Sequence, residues 1–152
     1  MDAKLRAIYD MIDALGVTVD FCELPPDMDG EYIHADRLIL IQFDLLERRY
    51  RSTLAHECCH AVYQDVPSMF GPVNAKAERR ADEWAALRLI ELDEYRTAEA
   101  RHDGHDEAMA IQLRVTTDLV HAYRRLLLRT DAAVYVAPRM GDGQWTAKVE
   151  AA

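Results

Sequence analysis

The segment His56-Glu57-Cys58-Cys59-His60 places two imidazoles and a carboxylate within five residues. Histidines four residues apart lie on one face of an α-helix, so His56 and His60 can bind the same metal ion. Glu57 directly follows the first histidine, where its carboxylate can act as a general base rather than as a ligand. The spacing predicts a zinc site for peptide hydrolysis. The alternative is a surface helix whose polar face is solvated.

The rest of this helix supports a metal site because its two faces differ in polarity. The apolar face carries Leu54, Cys58, Ala61 and Val62. The polar face carries Thr53, His56, Glu57, His60 and Gln64. A helix that contributes to an active site needs this division, because one side must pack on the protein while the other borders the cleft.

A second helix supplies further carboxylates. Its predicted stripe consists of Glu78, Ala81, Asp82, Ala85, Leu89 and Leu92. Carboxylates on a largely apolar face are costly unless they are paired or bind a metal. Glu78 is therefore the predicted third zinc ligand, and Asp82 is predicted to accept a hydrogen bond from a ligand histidine. The alternative is that Glu78 and Asp82 form an exposed pair within a charged segment.

The elements that position these residues are helices and a small sheet. The predicted elements are a helix at 2–15, a strand at 17–24, two short strands within 31–43, and helices at 52–64, 75–92, 105–114 and 117–129. Asn74 is the predicted N-cap of the helix at 75–92, and the polar segment 93–106 is predicted to contain a flexible loop at Gly104. This order predicts an α+β fold, with one domain at 1–130 and a tail or short β-hairpin at 131–152.

The acidic composition argues against several classes of function. The 152-residue chain has a formal net charge of −9, which disfavours general binding of nucleic acid or anionic membranes. Its apolar runs are shorter than the roughly 20 residues of a membrane-spanning helix, and its N-terminus does not resemble a signal peptide. Three cysteines without an export signal predict free thiols in a reducing compartment. We therefore expect a cytoplasmic protein.

Two segments carry a resemblance to a known family. The sequences "TLAHECCHAVY" and "AERRADEWAALRLI" resemble the ImmA/IrrE-type metallopeptidases, in which an H-E-x-x-H helix precedes a helix patterned E-x-x-A-[D/N]-x-[F/W]-A. The resemblance covers about residues 30–92. It implies a minimal zincin fold, in which a small antiparallel or mixed sheet packs with the active-site helix pair and further C-terminal helices. It also implies bound Zn²⁺ and an action on helix-turn-helix repressors, often those of phages and other mobile elements.

The chain departs from this family between the two histidines. Family members usually have an aliphatic residue followed by glycine, whereas this chain has Cys58 and Cys59. Adjacent helical residues diverge by about 100°, which disfavours a disulfide between the two cysteines, and we interpret both as small packing residues. Two alternatives stay open: Cys59 makes the site redox-sensitive, or it competes as a soft ligand. The larger side chain in place of glycine leaves the efficiency of catalysis open.

The predicted mechanism needs a base, a donor for the oxyanion and a place for the substrate. Glu57 is the predicted base, which takes a proton from water and delivers it to the leaving amine. Tyr63, His102 and His105 are the candidate oxyanion donors, in that order. The alternatives are an aromatic packing role for Tyr63 and solvated histidines beside Gly104. The substrate is predicted to extend the strand "RLILIQF" at its edge.

Two functions follow from these residues and from the resemblance. The first is a zinc metalloendopeptidase that hydrolyses a protein regulator, with a helix-turn-helix repressor as the expected substrate. The second is a non-catalytic, zinc-stabilised module that sequesters a regulator or another partner protein. The segment "TTDLVHAYRRLLL" looks superficially like part of a helix-turn-helix, but the acidic chain makes direct nucleic-acid binding the least favoured function. The sequence does not predict an oligomeric state.

Overall fold

A computed structural model describes residues 1–129, and the predicted tail or hairpin at 131–152 lies outside these described residues. In chain order the elements are α1 (Ala3–Ala14), β1 (Thr18–Cys22), β2 (Gly30–Ile33), β3 (Leu38–Gln42), α2 (Glu47–Tyr63), α3 (Gly71–Leu89), α4 (Leu92–His102), α5 (Asp106–Leu113) and α6 (Thr117–Arg129). This arrangement confirms the predicted α+β class and agrees with a minimal zincin-like fold. No helix within 1–129 is both long enough and apolar enough to cross a membrane.

The sheet is mixed and has the strand order β1-β3-β2. β3 pairs with β1 in parallel and with β2 in antiparallel, so that Ile39 lies opposite both Val19 and Tyr32. Ile39 and Ile41 are fully buried, because the alternation of side chains along β3 directs both toward the same packed face. The antiparallel pairing of β2 and β3 confirms the two short strands predicted within 31–43.

Helix α2 lies at the centre of the packing and contacts α1, α3, β2 and β3. Its predicted apolar face is buried at Leu54, Cys58 and Ala61 and partly buried at Val62, and Ala55 is buried beside them. Burying one leucine such as Leu54 stabilises the fold by roughly 1.5–3 kcal/mol. Helix α3 presents small side chains to this core, which allow close approach of the two helix axes. The buried residues of α3 are Ala81, Ala85, Ala86 and Leu89.

Both site helices begin earlier than predicted. α2 starts at Glu47 rather than near Ser52, and α3 starts at Gly71 rather than at Ala75. Asn74 is therefore inside α3 and is not its N-cap. Its side chain instead accepts a hydrogen bond from the N–H of Ser68 and donates one to the Ser68 carbonyl, which fixes the connection between α2 and α3.

Helix α4 is absent from the predicted elements because its sequence is mostly polar. It buries only a narrow face through Tyr95, Ala98 and Glu99. Its start is fixed by a capping box in which Glu91 and Glu94 each bond to the other's backbone. The sequence signal for this helix was a pair of glutamates three residues apart, Glu91 and Glu94, although glutamate is an uncommon N-cap residue.

Candidate metal centre

Three side chains from the two central helices converge on one point. The Nε2 atoms of His56 and His60, on α2, lie 3.1 Å apart. The carboxylate of Glu78, on α3, places one oxygen 3.1 Å from Nε2 of His56 and the other 3.1 Å from Nε2 of His60. One donor atom from each residue lies within 4.8 Å of the others, so the three residues can hold a metal ion. The predicted ligands His56, His60 and Glu78 are thus brought together.

Each histidine is oriented by a second carboxylate at its other ring nitrogen. Nδ1 of His56 lies 2.7 Å from Asp82, as predicted, and Nδ1 of His60 lies 2.8 Å from Asp65. An ionised carboxylate only accepts hydrogen bonds, so Nδ1 carries the proton on both rings. In the neutral rings, Nε2 is then left with a lone pair directed at the shared point, which is the arrangement that metal-binding histidines require.

Asp65 was not among the predicted site residues. It lies two residues beyond the end of α2, in the segment between the predicted helices at 52–64 and 75–92. Its position depends on Gln64, whose left-handed conformation turns the chain back toward the helix. The only signal in the sequence was a carboxylate five residues after His60.

The electrostatics of the site favour bound positive charge. Burial lowers the pKa of His56, but the hydrogen bonds to Asp82 and Glu78 outweigh it and raise this pKa to about 10. The pKa of His60 is also raised, because Glu78 and Asp65 outweigh the opposing effect of burial. Hydrogen bonds from both imidazoles lower the pKa of Glu78. A metal cation and protons therefore compete for the same donor atoms.

Glu57 lies beside the three donors and close to the sheet. Its side chain is buried, and the backbone of Tyr32 on β2 acts to lower its pKa. Burial raises the pKa of Glu57, while the neighbouring His56 and His60 oppose this rise. A buried carboxylate with a raised pKa, next to a metal centre, is placed to accept and donate protons.

Two cavities flank the metal centre and form one cleft. A cavity of about 350 Å³ borders His56, and a cavity of about 370 Å³ borders His60. Met28, Gly30, Glu57 and Glu78 line both. A larger cavity, about 560 Å³, is lined by Arg51 and residues of α1, α4 and α5, and by none of the metal-centre residues. The donor chemistry, rather than cavity size, therefore identifies the site.

The strand that borders the cleft is β2, not β3. The predicted docking edge "RLILIQF" corresponds to β3, which is paired on both sides and has no open edge, so that prediction was wrong. β2 is an outer strand of the sheet in the described part of the chain. Gly30 begins β2 so close to α2 that a Cβ there would lie 2.5 Å from Cγ2 of Thr53 and 3.1 Å from Cγ of Glu57.

The predicted oxyanion donors lie outside the linings of both cavities. Tyr63 is half-exposed, and the guanidinium of Arg80 lies 4.0 Å from its ring centroid; its catalytic role stays a prediction. His102 ends α4 and pairs with Gln112, whereas His105 caps α5 by accepting a hydrogen bond from the N–H of Ala108. The predicted flexible loop is instead a short helix connection, because both histidines have helix-terminal roles.

Cys58 and Cys59 have the packing role that the sequence suggested. Both are completely buried, and neither belongs to the group of donor atoms that can hold a metal. Burial raises the pKa of Cys58 to about 12 and that of Cys59 to about 11. At neutral pH both are therefore protonated thiols, which are poor nucleophiles and poor metal ligands.

A comparison with known protein families agrees with this geometry. The Peptidase_M78 family model, described as the IrrE N-terminal-like domain, matches residues 12–124. The match includes both helices of the metal centre, the whole sheet and most of α6. No curated protein matches the chain significantly. The chain belongs to the IrrE N-terminal-like family of metallopeptidases.

Proposed function

We propose that this protein is a zinc-dependent endopeptidase that hydrolyses a protein regulator, with a helix-turn-helix repressor as the substrate that the family resemblance favours. The observation that carries the proposal is the convergence of His56, His60 and Glu78 beside the buried carboxylate of Glu57. A cytoplasmic location fits the proposal, because the buried thiols of Cys58 and Cys59 need no oxidising compartment.

The donor set fits zinc. Two imidazole nitrogens and one carboxylate are a common catalytic zinc set, which leaves a coordination position open. Tetrahedral zinc with bonds of about 2.0–2.1 Å separates its nitrogen ligands by roughly 3.3 Å, close to the observed 3.1 Å between the Nε2 atoms. Zinc bound here would supply Lewis acidity, which lowers the pKa of water and polarises a peptide carbonyl.

Glu57 is the proposed general base. Its carboxylate takes a proton from the attacking water and then delivers it to the leaving amine. Glu57 lies at the border of both cavities, beside β2. Burial raises the pKa of Glu57, which favours uptake of the proton from water that the second transfer then delivers.

β2 is the proposed docking strand for an extended substrate. A peptide paired with the outer edge of β2 would run past Gly30 and Glu57, with its side chains distributed between the two cavities. Neither cavity lining contains lysine or arginine. Asp27, Glu31 and Asp118 line them without an ion-pair partner in residues 1–129. This charge favours a basic segment, which is typical of DNA-binding regulators.

The second candidate function is a non-catalytic zinc-stabilised module that sequesters its partner. It is favoured by one observation: Tyr63, His102 and His105 all lie outside the linings of both cavities. Without one of these three donors, stabilisation of the oxyanion would depend on the metal or on other polar groups that line the cavities. Metal content does not separate the two functions, because both require the same ligands.

Co-expression with a candidate repressor separates the two functions. Wild type and a Glu57→Gln variant are compared for repressor inactivation and for new peptide termini by mass spectrometry. The endopeptidase predicts cleavage by wild type only, with equal zinc in both proteins, because Glu57 is not a ligand. If Glu57→Gln retains both zinc and repressor inactivation, the endopeptidase function is wrong and the sequestering module is supported.

A further inference from the structure

One carboxylate oxygen connects His60 to helix α3. Oδ2 of Asp65 lies 2.8 Å from Nδ1 of His60 and also accepts a hydrogen bond from Nη2 of Arg80. Arg80 lies on α3, between Glu78 and Asp82. Helix α3 therefore carries Glu78, the third candidate ligand, and Asp82, the carboxylate that orients His56. It also carries Arg80, whose guanidinium contacts Asp65, the carboxylate that orients His60.

The main chain and the side chain of Asp65 both contact His60. α2 ends at Tyr63, and Gln64 takes a left-handed conformation with φ 54°. The N–H of Asp65 then bonds back to the carbonyl of His60 at 2.9 Å. This turn holds the Asp65 carboxylate beside Nδ1 of His60, because the backbone N–H and the side chain of Asp65 both bond to His60.

Arg80 is held in turn by neighbours of His60. Its guanidinium lies 4.0 Å from the ring centroid of Tyr63, within the range of a cation–π contact. Its charge also interacts favourably with the buried side chain of Cys59, whose pKa it acts to lower. Tyr63 and Cys59 flank His60 along α2, so the residues around this histidine fix the position of Arg80.

An ordinary surface ion pair between Arg80 and Asp65 would contribute little, because exposed pairs are well solvated. This pair differs in two respects. The Asp65 side chain is only 22% exposed, and the oxygen that contacts Arg80 is the one that contacts His60. Loss of Arg80 would therefore free the carboxylate that determines the direction of a ligand ring.

We propose that Asp65 is a positioning residue for His60 and that Arg80 acts through Asp65, so that metal affinity depends on the connection between α2 and α3. This inference rests on the metal centre proposed above. Asp65 keeps the proton on Nδ1, aims Nε2 at the metal and increases its basicity. Partners of this kind contribute roughly ten- to hundredfold to metal affinity when they contact a ligand histidine.

The test measures dissociation constants of Zn²⁺ and Co²⁺ by chelator competition. Asp65→Asn is expected to weaken binding roughly ten- to hundredfold and to shift the absorption bands of bound Co²⁺. Arg80→Met is expected to weaken binding less. The double variant is expected to bind no worse than Asp65→Asn alone, because Arg80 acts through Asp65.

Arg79→Met is the matched control, since Arg79 is the exposed neighbour of Arg80 on α3. Removing either arginine removes one positive charge, which by itself favours binding of a dication. Weaker binding in Arg80→Met together with unchanged or tighter binding in Arg79→Met separates positioning from net charge. Thermal unfolding of the metal-free proteins verifies that each variant folds. If Asp65→Asn does not fold, the comparison of Arg80→Met with Arg79→Met still tests the inference, because Arg80, unlike Arg79, contacts Asp65.

Metal affinity unchanged in Asp65→Asn and Arg80→Met would overturn the inference. So would equal losses from Arg80→Met in the wild-type and Asp65→Asn backgrounds, because Arg80 would then act independently of Asp65. A wild-type protein that binds neither ion would refute the metal centre and this inference with it. Normal binding by wild type and by all the variants would refute this inference alone.

Discussion

The Nε2 atoms of His56 and His60 lie 3.1 Å apart, although the two residues are on successive turns of α2. The rings meet because Asp82 contacts one from α3 and Asp65 contacts the other from the loop after α2. Hydrogen bonds to carboxylates of the protein thus fix the orientation of both rings. Such preorganisation reduces the cost of ordering the ligands on binding.

The close approach of β2 to α2 predicts that Gly30 tolerates no side chain. Gly30→Ala would place a methyl group 2.5 Å from Cγ2 of Thr53 and 3.1 Å from Cγ of Glu57, so the strand or the helix must move. We expect a loss of about 1–3 kcal/mol in the free energy of unfolding and a larger fractional loss of hydrolysis than of metal affinity, because Glu57 is displaced. Urea denaturation, peptide cleavage and metal titration measure these quantities.

Gly71→Ala is the control for this substitution. A Cβ at Gly71, the first residue of α3, meets no atom within 4 Å. We expect unchanged or slightly higher stability there, since alanine restricts the unfolded chain. Equal effects of the two substitutions would show that contact with α2 is not the cause.

The buried thiols predict selective labelling at neutral pH. Cys22 is partly exposed, whereas Cys58 and Cys59 are completely buried and burial raises their pKa values to about 12 and about 11. Iodoacetamide should modify Cys22 alone in the native protein and all three residues in denaturant, as read by mass spectrometry. Rapid native labelling of Cys59 would instead support a redox-sensitive site.

Acid is predicted to weaken the contact between α3 and α6. Hydrogen bonds from Arg129, and then from Arg125, lower the pKa of Glu83. A carboxylate with a lowered pKa stabilises the fold fully above its unfolded pKa of about 4.3, and this stabilisation is lost as the pH falls through the lower folded value. Glu83→Gln should therefore unfold at lower urea than wild type at pH 7, with the difference shrinking below pH 4. A difference that grows in acid would contradict this sign.

The charge of the cleft predicts a preference for basic substrates. Asp27→Asn removes one unpaired carboxylate from the cavity beside His56 and preserves a residue that tolerates the positive φ at this position. For a lysine-rich peptide we expect KM to rise roughly two- to fivefold with little change in kcat, since one exposed charge pair contributes about 0.5–1 kcal/mol. The effect should diminish at high salt.

Asp103→Asn is the matched control for this substitution, because Asp103 also has a positive φ but lies outside both cavities. It should leave KM unchanged. A fall in KM for the same peptide in Asp27→Asn would indicate that the cleft does not select basic segments.

The sequence was sufficient for the parts of the site that helix geometry determines. His56 and His60, like Glu78 and Asp82, are four residues apart within one helix, so their relative directions follow from the helical repeat. Asp65 could not be predicted in this way, because its place depends on the left-handed turn at Gln64 and on Arg80 from another helix.

The order of strands likewise depends on tertiary packing. The segment that became β3 is the most apolar strand, and an apolar run indicates a buried strand without showing which neighbours pair with it. The apolar pattern therefore places the docking edge at β3, although in residues 1–129 β3 is the central strand and β2 lies at an edge of the sheet. Helix α4 was missed for a related reason: its stability comes from a narrow buried face around Tyr95 rather than from its mostly polar composition.

The most direct test of the metal centre is the zinc content of purified protein, measured by elemental analysis in wild type, His56→Ala and His60→Ala. His121→Gln is the control, since His121 is an exposed histidine paired with Asp106 outside the cleft. We expect about one zinc ion per chain in wild type and in the control, and essentially none in the two alanine variants. Stoichiometric zinc in His56→Ala or His60→Ala would contradict the assignment of the metal centre.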